Sequence, residues 1–575
     1  MRYFRCCAIT LLVCFAGLLT AQMPIGDTLT VIQRPLLSVP QIVTPGQSFI
    51  IECNAPAATQ DWSAQLVHEG VTLPLTLVSQ YHDADFERWF IEVQSPTPGL
   101  YELYDLRVSA EGIEPDTEKN AVHLVPEYKT DYTFVHLTDT HLPTHYYYYE
   151  PESLTDSTEV DDLREVIRDI NLIHPEFVLF TGDVVNEGEL EDFQNRRYFT
   201  RAKRLLAEFE VPVYIVAGNH DVGGWDATPE PDGTARYNWW KFFGWPRLDD
   251  PPPADPYYTQ NYSFEYDAIV FLGMEAYINY DDFRYNIYGG ESFTNLQMLW
   301  LQEQLELHIE ATSRVLFYHY DFDNQIDLQQ LGIEMGLWGH IHSNSGSIYT
   351  QPYDLATESV CDGNRAFRLI SVNDNVLQPH NTMYAGAEGQ RLEIDYLPSN
   401  SGVADSVTAV IVNLYSQSFT DARIKFIMPA GDHGYTLSGG ELLQVDRSGQ
   451  FNVCYVSADL PAGSNIEVSI ATDYTAIDEA SAPQSMVGLR CYPNPFNPDT
   501  TISFTLHTAG DIELTVFNVA GQRVQTLLRG RLQAGQHTAQ WNGSDQNGES
   551  ASSGIYIYEL SVNGERTTGK CLLLK

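Results

Sequence analysis

The sequence predicts an α/β domain in the middle of the chain, with all-β domains at both ends. Short apolar runs rich in Val, Ile, Phe and Tyr recur between residues 132 and 318, and such runs are typical of buried strands. Segments with helical periodicity separate them, which indicates an α/β layer with crossover connections. The two ends of the chain instead alternate apolar and polar residues between Pro and Gly turns, as β-sandwiches do.

Four strand runs and three helical segments make up the central pattern. The runs are residues 132–137, 177–180, 213–216 and 315–318. Two sets of apolar residues each fall on one helical face, and a third helix is expected over about residues 295–309. The first face comprises Leu163, Val166, Ile167, Ile170 and Ile173, and the second comprises Leu190, Phe193, Leu205, Leu206 and Phe209.

Polar residues follow each strand run, at the point where the chain leaves the predicted sheet. Ligands collect at the carboxyl ends of strands in open α/β sheets, so these residues are expected to converge. Carboxylate, amide oxygen and imidazole suit hard or borderline metal ions, and no thiolate accompanies them. The strings are Asp139-Thr140-His141, Gly182-Asp183, Gly218-Asn219-His220-Asp221, His319 and Gly339-His340-Ile341-His342.

This set of residue types fits a two-metal hydrolase. Such an enzyme holds two cations about 3.5–4 Å apart and acidifies a shared water while the metals clamp the phosphoryl oxygens. One string alone carries little weight, because a single His after an apolar run is more often a core residue than a ligand. Five strings in this order favour a metal site over a decayed site or a coincidence.

The stretch from about Asp131 to Val376 resembles the calcineurin-like metallophosphoesterase family, and we assign residues 131–385 to this domain. The resemblance implies two mixed sheets packed face to face with helices outside. It also implies two divalent or trivalent metal ions (Mn, Fe or Zn) and a metal-bridging hydroxide as the nucleophile. The implied ligands are Asp139, His141 and His342 for the first metal, Asn219, His319 and His340 for the second, and Asp183 for both.

The resemblance also assigns catalytic residues and narrows the branch of the family. His220 is expected to act as general acid or to stabilise the transition state, and Asp221 is close enough in sequence to influence it. Purple acid phosphatases carry a Tyr at the position of Asn186 and lack a His at the position of His141, so that class is disfavoured. The pattern is closer to the phosphodiesterase-like branch, which also includes monoesterases.

Two loops rich in aromatic residues are candidates for the substrate cleft. Tyr146–Tyr149 follow the first ligand string, and their rings offer faces for a base or an aryl group, unless they pack on their own domain. The segment from Gly223 to Pro256, which contains Trp225, Trp239 and Trp240, is a candidate cap over the site, because long loops in compact domains tend to be functional or disordered.

The remaining sequence predicts export and accessory domains. Residues 1–22 read as a secretory signal peptide, and no other stretch reaches its apolar length, so no further transmembrane helix is expected. We expect a β-sandwich over residues 27–127. Residues 388–475 are expected to form a separate β-rich domain or an extension of the catalytic domain, and residues 476–488 are expected to be a linker. Residues 489–575, which open with Tyr-Pro-Asn-Pro-Phe-Asn-Pro, resemble the C-terminal sorting domains of type IX secretion; a plain Ig-like domain is the alternative.

The cysteine content and the net charge argue against a disulfide-rich protein and against a nucleic-acid-binding protein. Five cysteines lie outside the signal segment, and an odd number spread over several domains is not a disulfide framework, although Cys491 and Cys571 flank one domain and are candidates to pair. The net charge of -45 argues against a basic nucleic-acid groove.

The sequence therefore predicts a secreted or surface-attached binuclear phosphoester hydrolase, with phosphodiesters slightly favoured as substrates. A phosphomonoesterase or nucleotidase is the alternative within enzymes. A non-catalytic surface adhesin is the alternative of another class. The expected partners are a small phosphoester substrate and, through the C-terminal domain, the secretion machinery.

Overall fold

The structure is a computed structural model that describes most of the chain after residue 29. The described residues are 30–84, 86–142, 159–186, 188, 197–222, 234–243, 261–275, 292–473, 486–494, 496–506, 509–518, 521–546, 548–562 and 565–574. The predicted signal peptide, the Tyr146–Tyr149 loop and most of the 223–256 and 476–488 segments lie outside them. The chain divides into two compact units, Met1–Gly431 with Tyr435–Thr472 and Asp432–Gly434 with Asp473–Lys575.

The N-terminal region consists of nine strands in two sheets. Their apolar side chains, among them Phe49, Ile51 and Tyr104, form one buried cluster. The sheet orders are β1-β3-β7-β6 and β2-β9-β8-β4-β5. The strands are β1 (Ile32–Arg34), β2 (Gln41–Val43), β3 (Ser48–Cys53), β4 (Ser63–His68), β5 (Val71–Pro74), β6 (Thr76–Asp83), β7 (Arg88–Gln94), β8 (Leu103–Ala110) and β9 (Ile113–Leu124).

Ten strands form the two sheets of the central region. They are β10 (Tyr132–Leu137), β11 (Val178–Phe180), β12 (Val213–Ile215), β13 (Asn261–Tyr266), β14 (Ile269–Met274), β15 (Ser313–Tyr318), β16 (Met335–Trp338), β17 (Tyr353–Ala356), β18 (Ala366–Asn373) and β19 (Val376–Tyr384). The sheet orders are β12-β11-β10-β18-β19 and β13-β14-β15-β16-β17. Both sheets are mixed, because β10 to β12 and β14 to β17 are parallel while the remaining pairs are antiparallel.

The four predicted strand runs are confirmed, and burial on both faces explains why apolar residues predominate in them. In β10, Phe134 joins the cluster between the two sheets, whereas Val135 and Leu137 join the cluster beneath the helices. The rings of Phe134 and Phe271 meet across the sheets with centroids 5.4 Å apart. A strand covered on both faces needs apolar residues at successive positions, so alternation is absent.

In the described part of the chain, six helices accompany these sheets. They are α1 (Glu159–Ile173), α2 (Tyr198–Leu206), α3 (Asn219–Val222), α4 (Thr234–Phe243), α5 (Asn295–Leu307) and α6 (Leu328–Leu331). All five apolar residues predicted on the first helical face are buried in α1. Phe209 is buried but lies beyond the end of α2, and Leu190 and Phe193 lie outside the described residues. The third helix ends at Leu307 rather than at residue 309.

The prediction that the tryptophan-rich segment caps the site is wrong for Trp239. This residue lies in α4, is fully buried, and contacts Phe199 and Phe243 with ring centroids 6.0 and 4.7 Å away. The ring of Phe199 in α2 contacts three aromatic rings of α4, those of Trp239, Phe242 and Phe243. Trp239 is therefore a core residue of the helical layer.

The region after the central sheets has seven strands in two sheets of its own. Tyr415 in this region donates a 2.6 Å hydrogen bond to Asp169 of α1, and its apolar residues belong to the same buried cluster as those of α1. Arg423 contacts both His174 and Glu102, which connects it to the N-terminal region. The strands are β20 (Leu392–Leu397), β21 (Ser406–Asn413), β22 (Phe419–Met428), β23 (Gly434–Ser438), β24 (Glu441–Asp446), β25 (Asn452–Leu460) and β26 (Ser464–Asp473).

The C-terminal region has seven strands in two sheets around Trp541, Phe496 and Leu514. Within the described residues, none of the helices has the length and hydropathy that crossing a bilayer requires. The strands are β27 (Met486–Tyr492), β28 (Thr500–Leu506), β29 (Gly510–Asn518), β30 (Arg523–Leu532), β31 (Gly535–Trp541), β32 (Gly554–Val562) and β33 (Glu565–Leu573).

The first and last strands of this region bring Cys491 and Cys571 together. Asn494 bonds to Lys570 O at 3.0 Å and to Leu572 N at 2.8 Å, so the chain after β27 runs beside β33. The two sulfurs lie within hydrogen-bonding reach of each other, and both cysteines are free thiols.

We predict that these thiols form a disulfide under oxidising conditions. Closing a loop of about 80 residues should stabilise the region by about 4–5 kcal/mol in the chain-entropy model. Non-reducing peptide mapping of the full chain after exposure to oxidised glutathione should recover the Cys491–Cys571 cross-link, and urea unfolding should give the free-energy difference. The Cys571→Ser variant is the matched control. Two free thiols in the oxidised wild type would contradict the prediction.

Candidate metal centre

All seven predicted metal ligands converge at the carboxyl ends of strands from the two central sheets. Three strand ends of the first sheet and two of the second meet at this point, as predicted. Asp139 and His141 follow β10, Asp183 follows β11, Asn219 follows β12, His319 follows β15, and His340 and His342 follow β16. All but His340 and His342 are buried.

The first group of ligand atoms surrounds Asp139. Its Oδ1 lies 3.6 Å from His141 Nε2 and 3.4 Å from His342 Nε2, and the two imidazole nitrogens are 3.0 Å apart. Asp183 Oδ2 lies 3.7 Å from His141 Nε2. Four side chains therefore direct donor atoms at one point.

The second group shares Asp183. Its Oδ2 lies 3.1 Å from His319 Nε2, which is 3.3 Å from His340 Nδ1. Asn219 Oδ1 lies 2.9 Å from the same His340 nitrogen. The division into two groups around Asp183 matches the assignment implied by the family resemblance.

The donor atoms fit two metal ions. Metal bonds of about 2.0–2.2 Å at tetrahedral or octahedral angles place neighbouring ligand atoms about 3–3.5 Å apart, which is close to the spacing of both groups. Asp139 Oδ1 is buried and accepts no hydrogen bond from the described residues, an arrangement that is costly unless a cation faces the oxygen. The mixture of nitrogen and oxygen donors suits Zn, Mn or Fe.

The charges at the site are strongly coupled. Burial alone would raise the pKa of Asp183, but His319 and His220 hold it well below its usual value. Burial by itself would lower the pKa of His319, but the neighbouring Asp183 raises the pKa of this ring to about 9. The Asp183 carboxylate is therefore held in its ionised, metal-binding form.

Three of the histidine ligands have a polar partner at the ring nitrogen that faces away from the site. His319 Nδ1 donates to Thr181 O at 2.7 Å, and His141 Nδ1 donates to Asn186 Oδ1 at 3.1 Å. His342 Nδ1 lies 3.3 Å from Asp362 Oδ2. These bonds fix the tautomer that leaves Nε2 directed at the site.

Five of the ligands have backbone conformations that side chains rarely adopt. The φ angles are +54° for Asp139, +45° for His141, +51° for Asp183, +69° for His340 and +48° for His342. Non-glycine residues in the left-handed region cost about 1–2 kcal/mol each, and such strain concentrates at functional sites. The sharp turns direct successive side chains of each loop toward the same point.

The glycines of the motifs allow the loops to approach one another. A Cβ on Gly218 would collide with the Asp183 carboxylate, and a Cβ on Gly339 would collide with Thr138 and Asp139. Gly182, at φ +87°, faces Gly218 equally closely. These positions therefore require glycine for steric reasons.

Comparison with known proteins identifies the central region. Residues 132–344 match the family described as calcineurin-like phosphoesterase. This part of the chain resembles a calcineurin-like phosphoesterase domain. The match confirms the predicted enzyme class, a metal-dependent phosphoesterase. Residues 494–567 match the family described as FlgD Ig-like domain, which accords with an Ig-like C-terminal region.

Individual relatives are distant. The uncharacterized protein YvnB of Bacillus subtilis (strain 168) is 26% identical over 196 residues, which cover 34% of this chain and 13% of that protein. The purple acid phosphatase PPD1 from yellow lupin (Lupinus luteus) seeds is 9% identical, with 64% of this chain and 70% of that chain covered and a TM-score of 0.34. A dimetal phosphatase from Danio rerio is 15% identical, with 44% and 99% covered and a TM-score of 0.31. Such distant likenesses do not bear on the substrate.

His220 lies beside the metal ligands of the phosphoesterase domain, as predicted. Its ring centroid is 4.8 Å from that of His141, and its Nδ1 donates to Asn186 O at 2.5 Å. Burial lowers the pKa of His220 to about 4, against the opposing effect of Asp183. The ring is therefore neutral at pH 7.

Asp221 does not orient His220. Its Oδ1 accepts from Val185 N at 3.0 Å and its Oδ2 accepts from Gly218 N at 2.8 Å, so the carboxylate joins the loops that follow β11 and β12. Burial, with Asp183 nearby, raises the pKa of Asp221 to about 7. We correct the predicted catalytic role accordingly: Asp221 is a positioning residue that holds two ligand loops together.

The sequence analysis missed the supporting role of Asn186. This residue orients His141 through its side chain and His220 through its carbonyl group, although it had served only to exclude purple acid phosphatases. Asp362 and Cys361 beside His342 were also missed, because they lie far from the ligand strings in sequence. The one feature of the sequence that could have indicated this role of Asn186 is its place three residues after the bridging Asp183.

We predict that Asn186→Ala weakens metal binding about 10–100-fold, because His141 loses the acceptor that fixes its ring. Titration of the metal-free protein with Zn²⁺ or Mn²⁺ in a calorimeter measures the effect. Asn171→Ala, on α1 with a hydrogen bond to Glu208 O, is the matched control and should bind like the wild type. Unchanged affinity in Asn186→Ala would show that the contact does not support the site.

Proposed function

We propose that this chain is a binuclear metal-dependent phosphoester hydrolase that acts outside the cytoplasm, with phosphodiesters slightly favoured over monoesters. The observation that carries the proposal is the shared Asp183 carboxylate, whose Oδ2 lies 3.7 Å from His141 Nε2 and 3.1 Å from His319 Nε2. One oxygen between two groups of donors is the arrangement that a bridging ligand needs.

We assign different roles in hydrolysis to the metal ligands and to His220. Asp139, His141, His342 and Asp183 would hold one ion, and Asp183, Asn219, His319 and His340 the other. Two bound cations supply an acidified water and neutralise the charge of the phosphoryl oxygens. His220, fixed by Asn186 O, is placed to protonate the leaving oxygen once the anionic substrate raises the pKa of its ring.

The alternatives differ in substrate or in chemistry. A monoesterase or nucleotidase would use the same ligands, so only substrate preference separates it from a diesterase. A non-catalytic adhesin has no need of seven converging donors, five of them in strained backbone conformations. The absence of Tyr at position 186 further supports a site without a tyrosinate-bound iron.

We predict that Asp183→Ala abolishes both metal binding and hydrolysis, whereas His220→Ala keeps the metal and loses about 10²–10⁴-fold in rate. Metal analysis and assays with p-nitrophenyl phosphate and bis(p-nitrophenyl) phosphate measure both properties. Asp395→Ala, on an exposed position of β20, is the control and should retain both. Hydrolysis by a metal-free Asp183→Ala protein would refute the mechanism, and a metal-loaded wild type inactive on both esters would refute the function.

We further propose that residues 1–22 direct export and that residues 489–575 serve as a type IX sorting domain. The support is the apolar N-terminal segment and the Tyr492-Pro493-Asn494-Pro495 opening of the Ig-like region. In a host with this secretion route, the full chain should reach the surface or the medium, and deletion of residues 489–575 should retain it inside the outer membrane. Fractionation with immunoblotting decides this, and an unchanged distribution after the deletion would contradict the sorting role.

A further inference from the structure

Two aromatic side chains pack on the ligand His340 on the side of the second sheet, and a third packs on one of them. The ring of Tyr320 is 4.9 Å from that of His340 with an interplanar angle of 32°, and the ring of Phe322 is 4.8 Å away at 68°. Tyr320 also contacts Phe322 at 4.8 Å and Trp338 at 5.4 Å. We refer to Tyr320, Phe322 and Trp338 as the aromatic wall.

We propose that the aromatic wall binds the organic group of the substrate, and that this group is a planar, uncharged ring such as an aryl or nucleobase moiety. The inference rests on the proposed phosphoesterase function and adds the substrate class to it. A phosphoryl group held by the metal ligands would have its ester substituent beside His340, within reach of these rings.

Two of the three rings of the aromatic wall lie outside the domain core, whereas Trp338 packs against the apolar cluster beneath α5. Tyr318 is the last residue of β15 and precedes Tyr320 by two positions. It is 4% exposed and belongs to the apolar cluster beneath α5. Tyr320 and Phe322 are half-buried, and among the described residues neither belongs to an apolar cluster. Rings that pack on a metal ligand but not on the core have a face to offer to a ligand.

The loop that carries Tyr320 and Phe322 is held in place before any substrate binds. Ser292 Oγ accepts hydrogen bonds from Phe322 N and, at 3.2 Å, from Asp323 N. Asp321 Oδ2 accepts from Ile326 N at 2.8 Å, and Gln325 Oε1 accepts from Phe293 N at 2.7 Å. A preorganised wall loses little freedom on binding, which favours affinity.

The charges around the wall select an uncharged group. Asp321 and Asp323 lie on the same loop, and Asp354 accepts a 2.7 Å hydrogen bond from Trp338 Nε1. These carboxylates would repel a second phosphate or carboxylate next to the rings. Aromatic faces stack on any planar ring, so the wall favours aryl or nucleoside esters over alkyl esters and polyphosphates.

The test compares two phosphonates of equal charge, phenylphosphonate and ethylphosphonate, as ligands of the metal-loaded full chain. The wild type should bind phenylphosphonate at least ten-fold more tightly in a calorimeter. Tyr320→Leu and Phe322→Leu should remove most of this preference and raise KM for bis(p-nitrophenyl) phosphate, with kcat and metal content nearly unchanged. Tyr320→Phe keeps the ring and should keep the preference.

Tyr349→Leu is the matched control, because Tyr349 is 86% exposed and should have no effect. Equal binding of both phosphonates by the wild type, or an unchanged preference in both leucine variants, would overturn the aromatic wall alone. A leucine variant that loses metal would assign its ring to the support of His340 instead, and would also overturn it. A metal-loaded wild type that binds neither phosphonate would instead refute the proposed function.

Discussion

The whole site depends on the position of the Asp183 carboxylate. Its Oδ1 accepts a 2.8 Å hydrogen bond from His220 N, which leaves Oδ2 to face His141 and His319. Gly218 leaves room for this carboxylate, and the residue itself has a left-handed backbone. A shift of this one group would therefore separate the two groups of donors and move His220 as well.

Strained ligand loops persist because hydrogen bonds between neighbouring loops hold them. Thr140 N and His141 N both donate to Asp183 O, at 3.0 and 2.9 Å, so the loop after β10 is fastened to the loop after β11. Asp221 fastens the β11 loop to the β12 loop, and His340 N donates to Asp139 Oδ2 at 2.9 Å, which joins the second sheet to the first. The cost of the left-handed residues is thus offset by bonds that exist only when all loops are in place, before any metal contributes.

The sequence allowed the central fold and the ligand set to be predicted for physical reasons. Strands covered on both faces leave continuous apolar runs, and ligands follow such runs because the parallel strands end at one edge. Roles that depend on the direction of a side chain could not be predicted from the sequence. Asp221 follows His220 in the chain, yet its carboxylate accepts hydrogen bonds from backbone amides instead. Trp239 turns into the core although its segment resembles a cap. Neighbourhood in sequence does not determine which way a side chain points.

The two halves of the site differ in what supports them, and this difference bears on how a substrate enters. His319 is fully buried and bonded to the main-chain oxygen of Thr181, so this ligand of the second group is held by the core. His342 is 35% exposed, and its partner Asp362 is 61% exposed, so the first group borders solvent. A phosphoester approaching from solvent would meet the first group, while the organic substituent would be directed across the site toward His340 and the aromatic wall. His319 thus provides a fixed point for binding, and the exposed side of the site at His342 and Asp362 provides access.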